Sequence, residues 1–167
     1  IKNTALSGVL EITPPTIFTD NRGEYVETYN ENLYFENGIK INFIQDDISV
    51  SKKNVLRGIH GDQETWKLIS CLHGSFQLIV VNNDPESNEY KKSISFLLNE
   101  KERKQILIPP KFGNGHLVLS DIAIFHYKQS TYYNRSGQFT ILWNDPSYNF
   151  EWKINNPILS VRDSVGE

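Results

Sequence analysis

The sequence has no methionine and one cysteine, Cys71, among its 167 residues. A lone thiol forms no internal disulfide, so the chain is not a cystine-stapled scaffold and must rest on a buried core. No apolar run approaches the ~18 residues that a membrane helix needs. The stretch Ile1–Leu10 lacks the charged-then-apolar order of a secretory leader. The missing methionine implies that a few residues precede Ile1. Charge of either sign is scarce too: 17 Lys and Arg against 20 Asp and Glu leave −3. So weak a field gathers neither nucleic acid nor a membrane surface, although a few converging Arg and Lys can still hold a small anion. The length suits one domain, residues 1–167, with one core. With no leader, no membrane span and no cystines, a cytoplasmic location is expected.

Long helical patterns are also missing. Instead, short period-2 or β-rich runs occur at Val9–Ile12, Glu24–Tyr29, Asn42–Asp46, Trp66–His73, Phe76–Asn82 and Ser93–Leu98. More follow at Gln105–Ile108, His116–Leu119, Ile122–Lys128 and Phe139–Trp143. Turn residues separate them, among them Asn21-Arg22-Gly23, Asn83-Asp84-Pro85 and Pro109-Pro110. Only Asn30–Asn37 and Asn99–Lys104 suit short helices, with one more turn in the tail after Asn155. This pattern predicts an all-β sandwich or barrel and speaks against a parallel sheet. Eight Tyr, nine Phe and three Trp can fill such an interior or line a pocket that stacks a ring.

Three short segments carry chemistry-bearing side chains. In Leu56-Arg57-Gly58-Ile59-His60, strict alternation puts Arg57 and His60 on opposite faces, but Gly58 permits a bulge that aims both inward. In Trp66-Lys67-Leu68-Ile69-Ser70-Cys71, Lys67 stands in a strand that is apolar on both faces. Two readings are open: a buried ammonium with a purpose, or an edge-strand lysine snorkelling to water. In Ile124-Phe125-His126-Tyr127-Lys128, Tyr127 shares a face with Phe125 and Ala123, and its hydroxyl needs a partner. Taken singly, each is equally well an ordinary core or surface residue.

Their order along the chain says more. Phe18-Thr19-Asp20-Asn21-Arg22-Gly23 with Glu27 is followed by Phe43-Ile44-Gln45-Asp46, then Leu56-Arg57-Gly58-Ile59-His60 and Lys67-Leu68. Next come Ile108-Pro109-Pro110, Tyr127-Lys128, Tyr132-Tyr133, Trp143-Asn144-Asp145-Pro146 and Leu159-Ser160-Val161-Arg162-Asp163. From about Gly8 to Asp163 this series resembles the dTDP-4-dehydrorhamnose 3,5-epimerase family. The resemblance implies a double-stranded β-helix (cupin, jelly-roll) barrel with a few short helices, working as a homodimer on a nucleotide sugar without a cofactor. It implies that His60 is the base, Asp163 the carboxylate that orients it, Tyr127 the acid on the opposite sugar face, and Lys67 the cation beside the enolate. Arg57 corresponds to a substrate-site arginine. Arg22, Glu27 and Gln45 correspond to residues at the nucleotide end, partly across the dimer, and Tyr133 and Trp143 to aromatic positions near the site.

The chemistry independently asks for such groups. A carbon beside a C4 ketone is acidic because its carbanion delocalises into an enolate. Inverting it takes a base near neutral pKa on one face, a cation or donor at the ketone oxygen, and a proton source on the other face. Lys67 would lower the phenol pKa if it also lies near Tyr127.

Several positions depart from the family pattern. Asn114 stands where a His is expected in Phe112-Gly113-Asn114-Gly115-His116, and His116 follows two residues later; Asn114 is read as a substrate-positioning amide. Leu78 and Asn82 stand where Asp is common, and Asp47 where Asn is. The variant looks like the branch acting on GDP-linked 4-keto-6-deoxy-heptoses in bacterial capsule synthesis. A metal site is not expected, because among His60, His73, His116 and His126 no two are one residue apart. The alternatives are a sugar-nucleotide 3,4-ketoisomerase and a non-catalytic sugar-binding cupin.

Overall fold

A computed structural model describes residues 1–167. Strands β1 (Lys2–Asn3), β2 (Leu10–Ile12), β3 (Ile17–Asp20) and β4 (Gly23–Val26) precede helix α1 (Glu31–Glu36). Then follow β5 (Gln45–Lys52), β6 (Leu56–Gly61), β7 (Lys67–His73), β8 (Ser75–Asn82), β9 (Ser93–Asn99) and β10 (Gln105–Ile108). β11 (Phe112–Val118), β12 (Ile122–Gln129), a 3-10 turn at Arg135–Gly137, β13 (Phe139–Thr140) and α2 (Val161–Val165) complete the chain. No helix is long and apolar enough to cross a membrane.

Two antiparallel sheets face each other, as a jelly roll requires. One has six strands in the order β1-β2-β10-β7-β12-β5, the other five in the order β13-β6-β11-β8-β9. Between them lies the main core, with Ile69, Cys71, Ile106 and Phe125 from the first sheet and Phe76, Leu78, Val80 and Val118 from the second. The outer face of the first sheet is not left wet. Tyr34 of α1 and Ile39 cover Leu68, Leu107 and Ile12. The outer face of the second sheet, with Ile59, Ile79 and Val81, is covered by Ile141, Tyr148, Phe150 and Trp152 of the C-terminal segment. Both faces of β7 and β8 are therefore apolar, which explains their nearly continuous hydrophobic runs.

The sequence-based expectations differ from the structure in identifiable places. Asn99–Lys104 is not a helix: Asn99 ends β9, and its side chain accepts from the backbone N–H groups of Lys101 and Glu102 in a turn. The strand expected at Asn42–Asp46 starts at Gln45 and continues to Lys52. Its pattern is inverted, with Asp47, Ser49 and Ser51 half-buried or buried while Ile48 and Val50 are exposed. A hydrophobic-in rule misses such a strand because its inward face lines a polar cavity. β7 is no edge strand, since it pairs with β10 on one side and β12 on the other.

Candidate active site

Strands β5, β6, β7, β11 and β12 and helix α2 converge on one cavity of about 340 Å³ between the two sheets. His60, Asp163, Lys67, Tyr127, Arg57, Asn114 and Tyr133 all line it. How each arrives there follows from local structure.

Gly58 decides the geometry of β6. Its φ is +110°, and a Cβ at that position would lie 2.7 Å from the Asn114 carbonyl oxygen and 2.8 Å from Gly115 Cα. Only glycine accepts both the dihedral and the close approach. The ladder slips there, so that Asn114 opposes His60 while His116 opposes Arg57. Two residues of β6 face one of β11, which is a bulge. Arg57 and His60 consequently reach the same cavity despite their odd spacing. Arg57 stays at the exposed rim, with its Nε donating to Ser51 Oγ at 2.9 Å.

Asp163 comes from the far end of the chain. Ile158 accepts from the Leu56 N–H at 3.0 Å and donates to the Asn54 carbonyl at 2.8 Å, pinning the tail alongside β6. Ser160 then caps α2, its hydroxyl accepting from the Asp163 N–H at 3.1 Å. Asp163 Oδ1 lies 2.7 Å from His60 Nε2, and Oδ2 accepts from the Gly58 N–H at 3.3 Å. Burial alone would push this carboxyl up. The His60 hydrogen bond and charge, with those from Gly58 and Ser160, outweigh it and hold it below the usual carboxylate range. An ionised Asp163 can only accept, so Nε2 of His60 carries the proton and Nδ1 is left basic.

Lys67 is buried, at 6 % exposure, and donates from Nζ to Asn114 Oδ1 at 3.1 Å. Burial pulls its pKa down to about 8, the charge of Asp62 opposing the shift. It therefore still carries most of its charge at pH 7. Because an ammonium offers only donors, Asn114 must turn its oxygen to Lys67, which leaves its NH2 group free to donate. Tyr127 sits on the opposite sheet from His60, between Phe125 and Gln129 on the inward face of β12. Burial, with the charge of Asp47 and the neighbouring Tyr133, pushes its phenol up to about 12. Lys67 is not among the groups that shift it, so the lowering that a close Lys67 would bring does not arise.

Not every anticipated residue joins this cavity. Arg22 projects from the β3–β4 hairpin and pairs with Asp20 at its own turn. Glu27 accepts from Asn30 Nδ2 at 3.2 Å, away from the cavity. Gln45 is adjacent, its Oε1 accepting from the Tyr133 N–H at 2.9 Å. Trp143 lies elsewhere, in the segment crossing the outer face, where its carbonyl accepts from Trp152 Nε1 at 2.8 Å. Conversely, Ser49, His116, Phe125, Gln129 and Arg162 line the cavity although no motif marks them as site residues. Extending the alternation from Tyr127 by two in each direction does find Phe125 and Gln129. A second polar cavity of about 370 Å³ adjoins the first, sharing Gln129, Tyr133 and Gln138 and adding Asp62, Glu64 and Tyr132. No cluster of His, Cys, Asp and Glu side chains is arranged to hold a metal ion.

Comparison with known proteins places this arrangement in a family. The family model described as dTDP-4-dehydrorhamnose 3,5-epimerase matches residues 3–167. The enzyme of that name from Escherichia coli K12 is 39 % identical over 166 residues, covering 96 % of this chain and 89 % of its own. Among solved structures, the dTDP-6-deoxy-D-glucose-3,5-epimerase of Legionella pneumophila, in complex with dTDP-4-keto-L-rhamnose, superposes with a TM-score of 0.93 at 32 % identity. The match covers 99 % of this chain and 89 % of that one. The Bacillus anthracis dTDP-4-dehydrorhamnose 3,5-epimerase, with TDP and pyrophosphate bound, gives 0.94 at 28 % identity, covering 99 % and 96 %.

Proposed function

The chain belongs to the dTDP-4-dehydrorhamnose 3,5-epimerase family, a family of cofactor-independent isomerases, and from that premise we propose that it inverts C3, with or without C5, of a nucleotide-linked 4-keto-6-deoxy sugar. The observation that carries this reading is the His60–Asp163 pair opening onto the same cavity as Lys67 and Tyr127.

In the proposed reaction, Nδ1 of His60 takes the C3 proton. The electron pair moves onto the C4 oxygen, and the charge that develops there is met by the Lys67 ammonium. Asp163 steadies the imidazolium. The Tyr127 phenol, fully protonated at neutral pH, then returns a proton to C3 from the other face as the C4 ketone reforms. The phenolate regains its proton from solvent and the imidazolium releases one, so the protein ends as it began. Asn114 keeps Lys67 in place and offers its NH2 group to a sugar oxygen.

The rest of the substrate has room in the adjoining cavity, where Tyr132 and Tyr133 offer faces for a base. The β3–β4 hairpin supports a homodimer in which Arg22 and Glu27 serve the partner's site. All four residues of β3 are exposed, and Phe18 and Tyr25 are exposed aromatics on one side of it. The likeness of this variant to the branch acting on GDP-linked 4-keto-6-deoxy-heptoses is the ground for proposing such a substrate, in bacterial surface polysaccharide synthesis.

Incubation with nucleotide-linked 4-keto-6-deoxy sugars in deuterated water tests the reading. Deuterium at C3, alone or with C5, with inverted product is expected. A ketone shifted to C3 would mean a ketoisomerase, and no exchange with any such sugar would mean a binding protein.

A further inference from the structure

Three side-chain amides line the cavity: Asn114, Gln129 and Gln138. A charged neighbour decides which end of each is left for a ligand. Lys67 takes the oxygen of Asn114. Arg162 Nη2 donates to Gln138 Oε1 at 3.2 Å. A guanidinium only donates, so the NH2 group of Gln138 is the end left free. Gln129 has a neighbour of the opposite kind. Its Nε2 donates to Asp47 Oδ2 at 2.7 Å, and a carboxylate only accepts. The oxygen of Gln129 is therefore the end left free.

That oxygen opens onto the site. It accepts no hydrogen bond within the chain, yet the buried side-chain atoms without a partner are Ser49 Oγ, His116 Nε2 and His126 Nδ1 alone. Gln45, the register partner of Gln129 on β5, cannot supply the same acceptor. Its Nε2 also donates to Asp47 Oδ2, at 2.7 Å, and its Oε1 is taken by the Tyr133 N–H. On the other side Gln129 pairs with Lys67 of β7, one strand spacing, ~4.8 Å, away. The free acceptor thus stands beside the group that meets the ketone oxygen in the proposed reaction.

Gln129 and Gln138 line the adjoining cavity as well, so they mark the neck between the two. With C3 and C4 among His60, Lys67 and Tyr127, and the nucleotide in the adjoining cavity, the neck receives what joins them. That is C2, the anomeric carbon and the diphosphate. A diphosphate offers acceptors only and is repelled by the Gln129 oxygen. The C2 hydroxyl both donates and accepts, which an acceptor on Gln129 and a donor on Gln138 match.

We propose that Gln129 and Gln138 form the subsite for the C2 hydroxyl of the sugar, with Asp47 as the positioning residue that turns Gln129 toward it. This rests on the epimerase reading above and adds a requirement to it: the chain rejects 2-deoxy sugars. A site built to hydrogen-bond a hydroxyl is left with unpaired polar groups by the analogue that lacks it.

The test measures kcat/KM for C3 deuterium incorporation into 4-keto-6-deoxy sugars and their 2-deoxy counterparts, hexose and heptose, on GDP and on dTDP. For the sugar that exchanges fastest, wild type should favour the 2-hydroxylated form by about 30-fold or more. Gln129→Leu should cut that ratio at least about fivefold, and Gln138→Met should lower it in the same direction. Asp47→Asn lets the Gln129 amide turn either way and should lower the ratio about threefold, mainly through slower exchange into the 2-hydroxylated sugar. A residue that only supported the fold would depress both sugars alike, so an unchanged ratio in Asp47→Asn overturns its positioning role. A wild-type ratio within about threefold overturns the subsite, as does a ratio unchanged in both glutamine variants. If Gln129→Leu does not fold, Gln138→Met decides. Exchange into no sugar removes the epimerase reading and the subsite together; equal exchange with and without the C2 hydroxyl removes the subsite alone.

Discussion

The cavity and the β3–β4 hairpin are opposite kinds of surface. In the cavity, each charged group meets a polar partner within a single chain: Asp163 meets His60, and Lys67 meets Asn114. The hairpin is unfinished. Phe18 and Tyr25 are 65 % and 67 % exposed, and Arg22 finds only Asp20 of its own turn. The difference separates what one chain accomplishes alone from what, in the proposed homodimer, it leaves for a second copy. Proton transfer needs fixed geometry and desolvation, which two packed sheets provide. Holding the far end of a long substrate needs only adaptable contacts, which an exposed hairpin can lend to a neighbour.

Breaking the cavity side should have the largest consequence. His60→Asn removes the proposed base while keeping a hydrogen-bonding side chain, and turnover should fall by about a thousandfold or more. Unchanged thermal unfolding would show that the fold survives, and normal C3 exchange would contradict the assignment. Lys67→Met should cost about a hundredfold in kcat. Lys67 also gives a pH signature. Its pKa is lowered to about 8, so the charge proposed to meet the ketone oxygen is present below that pH and lost as pH rises through it. Wild-type kcat should therefore decline above about pH 8, and Lys67→Arg should move that limb to higher pH.

The hairpin side should respond differently. Phe18→Ser with Tyr25→Ser is expected to weaken self-association by about tenfold or more in sedimentation velocity. His60 and Asp163 should keep their contact, because the hairpin lies outside the cavity. A wild-type protein that sediments as a monomer at micromolar concentration would remove the basis for this half of the comparison. The mildest change is Asn114→Ala, which releases one hydrogen bond on Lys67. A loss of about tenfold is expected, well short of His60→Asn. Equal losses in the two would mean that Asn114 takes part in proton transfer.

Much of this is legible in the linear order of residues. The strand-rich pattern points to an all-β sandwich or barrel, the resemblance to the family narrows it to the jelly roll, and Gly58 indicates how Arg57 and His60 can face one way. Three things stay hidden for physical reasons. β5 buries its polar face and exposes Ile48 and Val50, so hydrophobic alternation points the wrong way along it. Trp143 follows β13 into the segment that crosses the outer face, and no local pattern announces that path. His116 shows in the sequence only as a substitution two residues from Asn114. Its stacking on Phe125 and its unpartnered nitrogen depend on the pairing of β11 and β12 with other strands, which a linear sequence does not display.

The two-sided proton transfer is tested most directly by Tyr127→Phe, read by deuterium content at C3 and product stereochemistry after reduction of the ketone. His60 would still remove the proton, and solvent deuterium would return to the same face. The expected result is persistent C3 exchange with about a hundredfold loss of inverted product. Inverted product at the wild-type rate would contradict Tyr127 as the acid and make Tyr133, on the same cavity, the next residue to change.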